Sequence, residues 1–347
     1  MADAPYDALL LLSFGGPERS AEVLPFLENV LRGRNVPRER LLEVADHYAH
    51  CGGRSPINDQ NRALIAALQT ELAARGPHLP IYWGNRNWHP LLADTLLQMQ
   101  TAGVRRALVF VTSAFSSYSG CRQYREDLVR ARASVGPAAP ACDKLRVFFN
   151  HPGFITAVTD RVLVAMAELA ADLRPAARLV FTAHSIPESM AATCDYEAQL
   201  REASRLVADR LQRPEFDLVY QSRSGPPTQP WLGPDVNDHL RDLAGHGAQA
   251  VVLVPIGFIS DHMEVVYDLD TEAHQVAAAC RLPLVRAATV GTHPAFVAMI
   301  RDLMLERMAA APGAALQRAA LGVLGPRRDD CAEDCCPAPD PGRGARS

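Results

Sequence analysis

The sequence contains one lysine, Lys144, and its 35 basic residues are outnumbered by 39 acidic ones, so its formal net charge is −4. A general nucleic-acid binder is expected to show a basic excess, and this charge balance argues against that class. No apolar run approaches the roughly 20 residues that span a bilayer. The apolar run at 8–12 is only long enough for a buried strand, and no basic leader precedes it. We therefore expect a soluble, cytoplasmic protein.

What is present is an alternation of short apolar runs and longer amphipathic stretches over 347 residues, 48% of them hydrophobic. The predicted strands are 7–13, 80–84, 106–112, 145–149, 178–183, 216–221, 249–256 and 283–287. The predicted helices are 57–75, 90–102, 154–173, 195–212, 235–246 and 295–310. This alternation indicates βαβ units and an α/β fold with parallel sheets.

The length favours two α/β lobes, each a Rossmann-like parallel sheet flanked by helices. We place the first lobe at 1–145, joined by the helix 295–310, and the second at 146–290. An Ala-, Pro- and Gly-rich loop at 134–141 lies near the boundary, and 311–347 reads as a loose tail. A cleft between the lobes is the expected place for a ligand.

Two pairs of matching segments suggest an internal repeat. The segment ALVFVTSAF at 107–115 matches AVVLVPIGF at 250–258, which places Cys121 opposite Glu264. A second match, LLLSFGGP with VFTAHSIP, places Phe14 opposite His184. Alternating α/β chains also produce such matches by chance, so a duplication and a coincidence both stay open.

His184 and Glu264 are the candidate chemical groups, because both follow predicted strands whose carboxyl ends form ligand sites in α/β sheets. On a helix, Glu264, Asp268 and Glu272 recur every four residues and share one face. Such a row suits a path for cations or protons, although a solvated acidic surface gives the same pattern. His184 has an equally plain alternative as a hydrogen-bonded residue in a turn.

Metal insertion into a porphyrin would explain this pairing of residue types. A free-base porphyrin loses two pyrrole protons as a divalent metal enters, and a neutral histidine can accept one of them. A carboxylate beside it can guide the ion. Imidazole and oxygen ligands hold ferrous iron loosely enough for release.

Seven ordered segments give the chain its resemblance to the ferrochelatase family, from about residue 9 to 305. They are LLSFGGPE, GGRSPIN, YWGNRNW, TSAFSSYSGCRQY, FTAHSIPE, QSRSGPP and PIGFISDHMEVVYDLD. The residues in these segments are most similar to those of the actinobacterial-type coproporphyrin III ferrochelatases. The resemblance implies an enzyme of the lyase class in haem biosynthesis, with a chelatase-like fold and a central porphyrin cleft.

The resemblance also implies the metal-site roles. His184 corresponds to the iron ligand and proton acceptor, and Glu264 to its partner at the site of the Fe2+ substrate. Asp268 and Glu272 correspond to an acidic path that leads outward from Glu264.

Four further residues are expected at the porphyrin. Ser55 and Tyr124 match residues that hold its carboxylate edge, and Arg54 is adjacent and suited to pair with a propionate. Phe14 stands where some relatives have an iron-ligating tyrosine, so it can only pack on the macrocycle. His47 falls where some relatives place an arginine near the propionates.

The stretch 18–51 is short and polar, which favours the four-propionate coproporphyrin III over protoporphyrin IX, the second candidate substrate. A cobalt or nickel chelatase and a non-catalytic haem-binding carrier are the alternatives from other classes. Transient contact with neighbouring haem-pathway enzymes is a further expectation.

The tail carries three cysteines within six residues, at 331, 335 and 336. A group of this kind is also compatible with a zinc site, with disulfide bonds or with thiols that have no function. Several ferrochelatases carry a [2Fe–2S] cluster on three C-terminal cysteines and one internal cysteine. The resemblance implies such a cluster here, held by Cys142, Cys331, Cys335 and Cys336.

Overall fold

The computed structural model describes residues 5–32, 37–225, 228–310 and 317–338. Parts of two predicted features, the tail 311–347 and the segment QSRSGPP, therefore lie outside the described residues. Two four-stranded parallel sheets form the frame of the molecule. Their strands are β1 (Ala8–Ser13), β2 (Ile81–Asn85), β3 (Arg106–Val111), β4 (Ala141–Lys144), β5 (Arg178–His184), β6 (Phe216–Gln221), β7 (Val251–Val254) and β8 (Leu284–Arg286).

The two sheets have the same topology, with strand orders β2-β1-β3-β4 and β6-β5-β7-β8. In the first sheet Leu9 pairs with Ile81 and Leu108. In the second, Leu179 pairs with Phe216 and Val252. The predicted α/β fold with two parallel sheets is confirmed, and the shared order agrees with the repeat suggested by the sequence.

Helices cover both faces of each sheet. They are α1 (Ser20–Val30), α2 (Arg38–His50), α3 (Ile57–Arg75), α4 (Leu92–Thr101), α5 (Gln123–Val135), α6 (Pro152–Glu168), α7 (Glu188–Ala191), α8 (Tyr196–Arg210), α9 (Val236–Gly245), α10 (Met263–Val266), α11 (His274–Ala279) and α12 (Pro294–Met308). Two short π-helices, Tyr118–Arg122 and Asp268–Ala273, lie beside α5 and α11. Within residues 5–32, 37–225, 228–310 and 317–338, no helix is long and apolar enough to cross a bilayer.

The predicted strand at 145–149 is wrong, because β4 ends at Lys144. Leu145 still donates its N–H to Val109, but the chain then leaves the sheet. The run that follows is apolar because Val147, Phe148 and Phe149 fill the interior between the two sheets. Hydrophobicity thus marked burial there and not strand pairing.

Helices α1 and α2 were missed within the stretch 18–51. Arg19 and Pro37 cap them without any side-chain hydrogen bond, and Pro25 interrupts α1, so the usual boundary signals are weak. Their buried residues form an apolar cluster with one residue of the second lobe. Its members are Val23, Phe26, Leu27, Tyr48 and Met263. The polar stretch therefore lies over the gap between the lobes.

One core runs through both lobes. It joins Leu9 and Phe110 of the first sheet to Phe181 and Val254 of the second, with Phe148 between them. Each fully buried side chain of this size contributes roughly 1.5–3 kcal/mol. Helix α12 packs on both α3 and α6, so it touches elements on either side of the predicted boundary at 145. The exact domain limits stay a prediction.

Arg146 is the largest charged side chain in this core, and we expect its removal to destabilise the fold. Its guanidinium is fully buried and meets the Glu306 carboxylate at 2.6 and 3.0 Å. Arg146→Ala leaves a buried carboxylate without this partner, so the free energy of unfolding should fall by about 3–5 kcal/mol in urea denaturation. Arg201→Ala breaks an exposed pair with Glu197 and should cost at most about 1 kcal/mol. Equal losses in the two variants would contradict this interpretation.

Candidate active site

Two parallel neighbours, β5 and β7, set the positions of the central groups. His184 is the last residue of β5, and Glu264 lies in the first turn of α10, which follows β7. Gly257 allows the chain after β7 to lie against β5, because a Cβ atom there would be 2.7 Å from the Cα atom of Ala183. The carboxyl ends of the two strands therefore bring both side chains to one edge of the sheet.

The His184 Nε2 atom lies 3.3 Å from a carboxylate oxygen of Glu264, and both side chains are partly exposed. Burial opposes charge on the imidazole, but the Glu264 carboxylate outweighs it and raises the pKa of His184 to about 9. Burial likewise opposes charge on Glu264, yet His184 holds the pKa of that carboxyl well below its usual range. In the resting site the histidine is therefore an imidazolium at neutral pH. The neutral imidazole expected from the sequence requires that its proton first be displaced.

Backbone contacts fix the orientation of this pair. The Nδ1 atom of His184 contacts the carbonyl of Ser185, and Tyr196 donates its hydroxyl to the carbonyl of His184 at 3.0 Å. Gln221, at the end of β6, donates to the carbonyl of Glu264. The Glu264 N–H donates to Nδ1 of His262 at 3.2 Å. Because the ends of β5 and β6 and the helix α8 supply contacts, the pair is not held by a loop alone.

Asp268 lies one helical turn beyond Glu264. Burial and the charges of Glu264 and Glu272 raise its pKa to about 7, against a hydrogen bond from Ser222 that lowers it. Ser222 has a φ of 61°, a conformation that non-glycine residues rarely adopt and that is found at functional sites. Burial also raises the pKa of Glu272. The carboxyl nearest the pair can thus bind and release a proton near neutral pH.

The first lobe supplies the other wall of the gap. Phe14 follows β1 and is 37% exposed. The Arg86 guanidinium lies 5.9 Å from the Phe14 ring centroid and 4.6 Å from that of Tyr124. Asp127 holds Arg86 at 2.7 Å. Sequence reasoning missed Arg86, although its position in YWGNRNW, directly after β2, was an available signal.

Tyr48, in α2, lies near the His184–Glu264 pair. It is buried among the residues of α1 and α2, and burial and the negative charge of Glu264 raise its pKa. His47, its neighbour, stacks on Tyr267 of the second lobe with ring centroids 3.8 Å apart. Helix α2 therefore faces the segment that carries Glu264.

Ser55 and Arg54 differ from the other predicted porphyrin residues. Ser55 is buried, and its N–H donates to the carbonyl of Pro17 at 2.8 Å. It thus lies under the turn that follows Phe14. Arg54 is exposed and paired with Asp59. A role for either residue at a propionate stays a prediction.

The tail cysteines lie on the first lobe, away from the pair. Cys331, Cys335 and Cys336 line a cavity of about 180 Å³ together with Cys121 and Cys142. Within the part of the chain described, no group of three or more His, Cys, Asp or Glu side chains is arranged to hold a metal ion. Neither the tail cysteines at 331, 335 and 336 nor the carboxylates around Glu264 form such a group.

The chain is similar in sequence to curated proteins and in fold to a solved structure. A protein named ferrochelatase from Rhodopirellula baltica is 57% identical over 334 residues, covering 96% of this chain and 93% of that protein. A protein named coproporphyrin III ferrochelatase from Streptomyces griseus is 53% identical, covering 97% and 95%. Among solved structures, SirB from Bacillus subtilis with Fe3+ aligns with a TM-score of 0.52 at 12% identity, covering 85% and 94%, which supports the fold.

The ferrochelatase family model matches residues 6–308, a span that includes both sheets, the His184–Glu264 pair and the Phe14–Arg86–Tyr124 wall. The chain therefore belongs to the ferrochelatase family.

Proposed function

We propose that this protein inserts ferrous iron into coproporphyrin III, with His184 and Glu264 as the catalytic pair. The observation that carries this proposal is the 3.3 Å contact between an imidazole and a carboxylate at adjacent strand ends, facing an aromatic wall. The reaction exchanges one Fe2+ for the two pyrrole protons of the free-base macrocycle. Removal of the two pyrrole protons needs an acceptor near the ring that can pass on one proton and take another.

Glu264 attracts the incoming cation, because its carboxylate stays ionised at neutral pH. Binding of a divalent ion beside it opposes the positive charge on His184 and favours release of the imidazole proton. The neutral imidazole can then accept a pyrrole proton. Asp268, whose pKa is about 7, is suited to accept the displaced imidazole proton and then the two pyrrole protons, which His184 relays to it one after the other. Asp268 releases each of them toward Glu272 before it takes the next.

The macrocycle is expected to lie between this pair and the opposite wall. Phe14 offers an apolar face, and behind it the buried Arg86, paired with Asp127, packs against Phe14 and Tyr124. Phe14 has no atom that can ligate iron, so His184 would be the protein ligand to the ion once the pyrrole protons have left. The names of the curated relatives and the largely polar outer face of α2 support coproporphyrin III over protoporphyrin IX.

Side-by-side assays test the substrate. We expect anaerobic insertion of Fe2+ into coproporphyrin III at a kcat/KM at least about tenfold higher than into protoporphyrin IX, because each propionate held by a charge-assisted hydrogen bond adds roughly 1.5–3 kcal/mol. Equal or reversed values would favour protoporphyrin IX. Preference for Co2+ or Ni2+ in competition would favour a different chelatase. Tight haem binding without turnover would identify a carrier.

We also propose that the tail cysteines hold a [2Fe–2S] cluster, with Cys142 as the internal ligand by resemblance. The donor chemistry fits, because such clusters take four thiolates and this cavity is lined by five cysteines. The thiols are not arranged around one point, so the tail side chains must reorient on assembly. Insertion transfers no electrons, which leaves the cluster a structural or sensing role.

A further inference from the structure

We propose that Gln60 is a positioning residue for Glu264, because it ties the segment that carries Glu264 to the first lobe. This inference rests on the proposed insertion of iron and concerns what holds the carboxylate in place. Gln60 is the fourth residue of α3, and its partner Asp261 lies three residues before Glu264 in the chain. Gln60 and Asp261 are 201 positions apart, so their contact joins the two lobes.

The contact between Gln60 and Asp261 consists of two hydrogen bonds. The Asp261 N–H donates to the side-chain oxygen of Gln60 at 2.8 Å, and the Gln60 amide donates to the Asp261 carboxylate at 3.2 Å. An amide side chain carries both a donor and an acceptor, so it can meet an N–H and a carboxylate side by side. A carboxylate in place of the amide would lack the donor and would repel Asp261. The contact therefore depends on the amide.

Asp261 controls how the chain enters the helix that carries Glu264. Asp261 and His262 lie outside the helices and strands, directly before α10. The Asp261 N–H donates to Gln60, and its carboxylate also meets Arg286 of β8 at 3.3 Å. Gln60 and Arg286 thus hold this residue from opposite lobes. Glu264 follows within one helical turn, so a displacement of Asp261 is expected to move the carboxylate.

The first turn of α3 also holds the opposite wall of the gap. Asn58 donates to the carbonyl of Gly16 at 3.1 Å, in the turn that follows Phe14. The same helix end therefore contacts the turn after Phe14 and the segment before Glu264. Because the residues of a helix keep fixed separations, α3 sets the distance between these two parts of the gap.

An equivalent contact runs from the second lobe to the first. Gln199 is the fourth residue of α8, and its side chain accepts the Ser116 N–H at 2.8 Å and donates to the Ser116 hydroxyl at 2.9 Å. Helices α3 and α8 both lie between the first and second strands of their lobes, and Ser116 and Asp261 both follow the third strand. Glutamines at corresponding positions thus join each lobe to the other. The Gln60 contact differs in that it directly precedes the helix of Glu264.

A double-mutant cycle on the full chain tests the role of Gln60. We expect Gln60→Glu to lower kcat/KM for Fe2+ by at least about tenfold, because repulsion from Asp261 displaces the segment that carries Glu264. Affinity for coproporphyrin III, measured by fluorescence titration, should change by less than about twofold, since Asn58 still holds the turn after Phe14. Gln98→Glu adds the same charge at an exposed position of α4 and is the matched control, with wild-type kinetics expected.

Asp261→Asn supplies the rescue. In that background the carboxylate introduced by Gln60→Glu can accept both the backbone N–H and the side-chain amide of residue 261. Gln60→Glu should then lower kcat/KM for Fe2+ by less than about threefold. A merely structural defect would not be reversed by a second change that itself removes an ion pair with Arg286.

Each other outcome has a definite meaning. Equal losses in the two backgrounds, or unchanged kinetics of Gln60→Glu, would overturn the inference while leaving the insertion activity established. A wild type that inserts no iron would refute the proposed function and this inference with it. Urea denaturation establishes that each variant is folded. If Gln60→Glu does not fold, Gln60→Met removes both hydrogen bonds without adding charge, and wild-type kinetics in that variant would also overturn the inference.

Discussion

Replacing His184 with alanine is expected to lower kcat for ferrous insertion by about 10²–10⁴-fold, while coproporphyrin III still binds. The imidazole at the end of β5 is the proposed acceptor of the pyrrole protons, and the variant has no base at that strand end. Porphyrin binding should persist, because the aromatic and cationic wall belongs to the first lobe. Anaerobic turnover and porphyrin fluorescence titration measure the two quantities separately.

His246→Ala is the matched control for this variant. His246 also lies 3.3 Å from a carboxylate, that of Asp242, but the pair is exposed on α9. Its loss should leave kcat within about twofold of the wild type, since surface pairs contribute little. Near-normal turnover of His184→Ala would show that another group accepts the proton, and the proposed role of His184 would then be wrong.

Glu264→Gln is expected to change the pH dependence as well as the rate. In the wild type the carboxylate raises the pKa of His184 to about 9. An imidazolium can neither ligate iron nor accept a proton, so kcat/KM for Fe2+ should still rise with pH at pH 8. Without the carboxylate the pKa of His184 falls toward its ordinary value of about 6.5. The acidic limb should therefore move to lower pH, and the plateau should fall by roughly 10²-fold.

Profiles between pH 6 and 8.5, with porphyrin saturating and Fe2+ varied, distinguish these effects. The wild type should show a continuous rise over this range, whereas Glu264→Gln should level off above about pH 7. Asp242→Asn, at the exposed pair, should keep the wild-type profile. If the limb of Glu264→Gln stays where the wild type has it, the titrating group is not His184.

The periodicity of apolar residues predicted most of the architecture. Helix α3 begins and ends where the amphipathic pattern at 57–75 places it, and the strand patterns at 7–13 and 178–183 match β1 and β5 to within one residue. Such segments are specified locally, because a 3.6-residue or two-residue apolar repeat can bury only one face. The failure at 145–149 has the converse cause, since a run buried on all sides has no period to read.

In the candidate site, too, the sequence predicted some features and the tertiary structure decided others. His184 and Glu264 could be named from the sequence because each follows a strand of a parallel sheet, and strand ends share one edge. Their charge state could not be read there. Whether the imidazole is neutral or protonated depends on a 3.3 Å separation between residues 80 positions apart in the chain. Arg86 and Tyr48 likewise approach the candidate site only because segments remote in the chain pack together.

By itself, the sequence determined the alternating α/β order, the family and the identity of the central histidine and glutamate. Only the tertiary structure decided which groups meet: His184 against Glu264, Arg86 against Phe14 and Tyr124, and both Cys121 and Cys142 in one cavity with the tail cysteines. The reason is physical. Periodicity and strand order are local properties of the chain, whereas pKa values and ligand sets depend on distances that arise only when remote segments pack together.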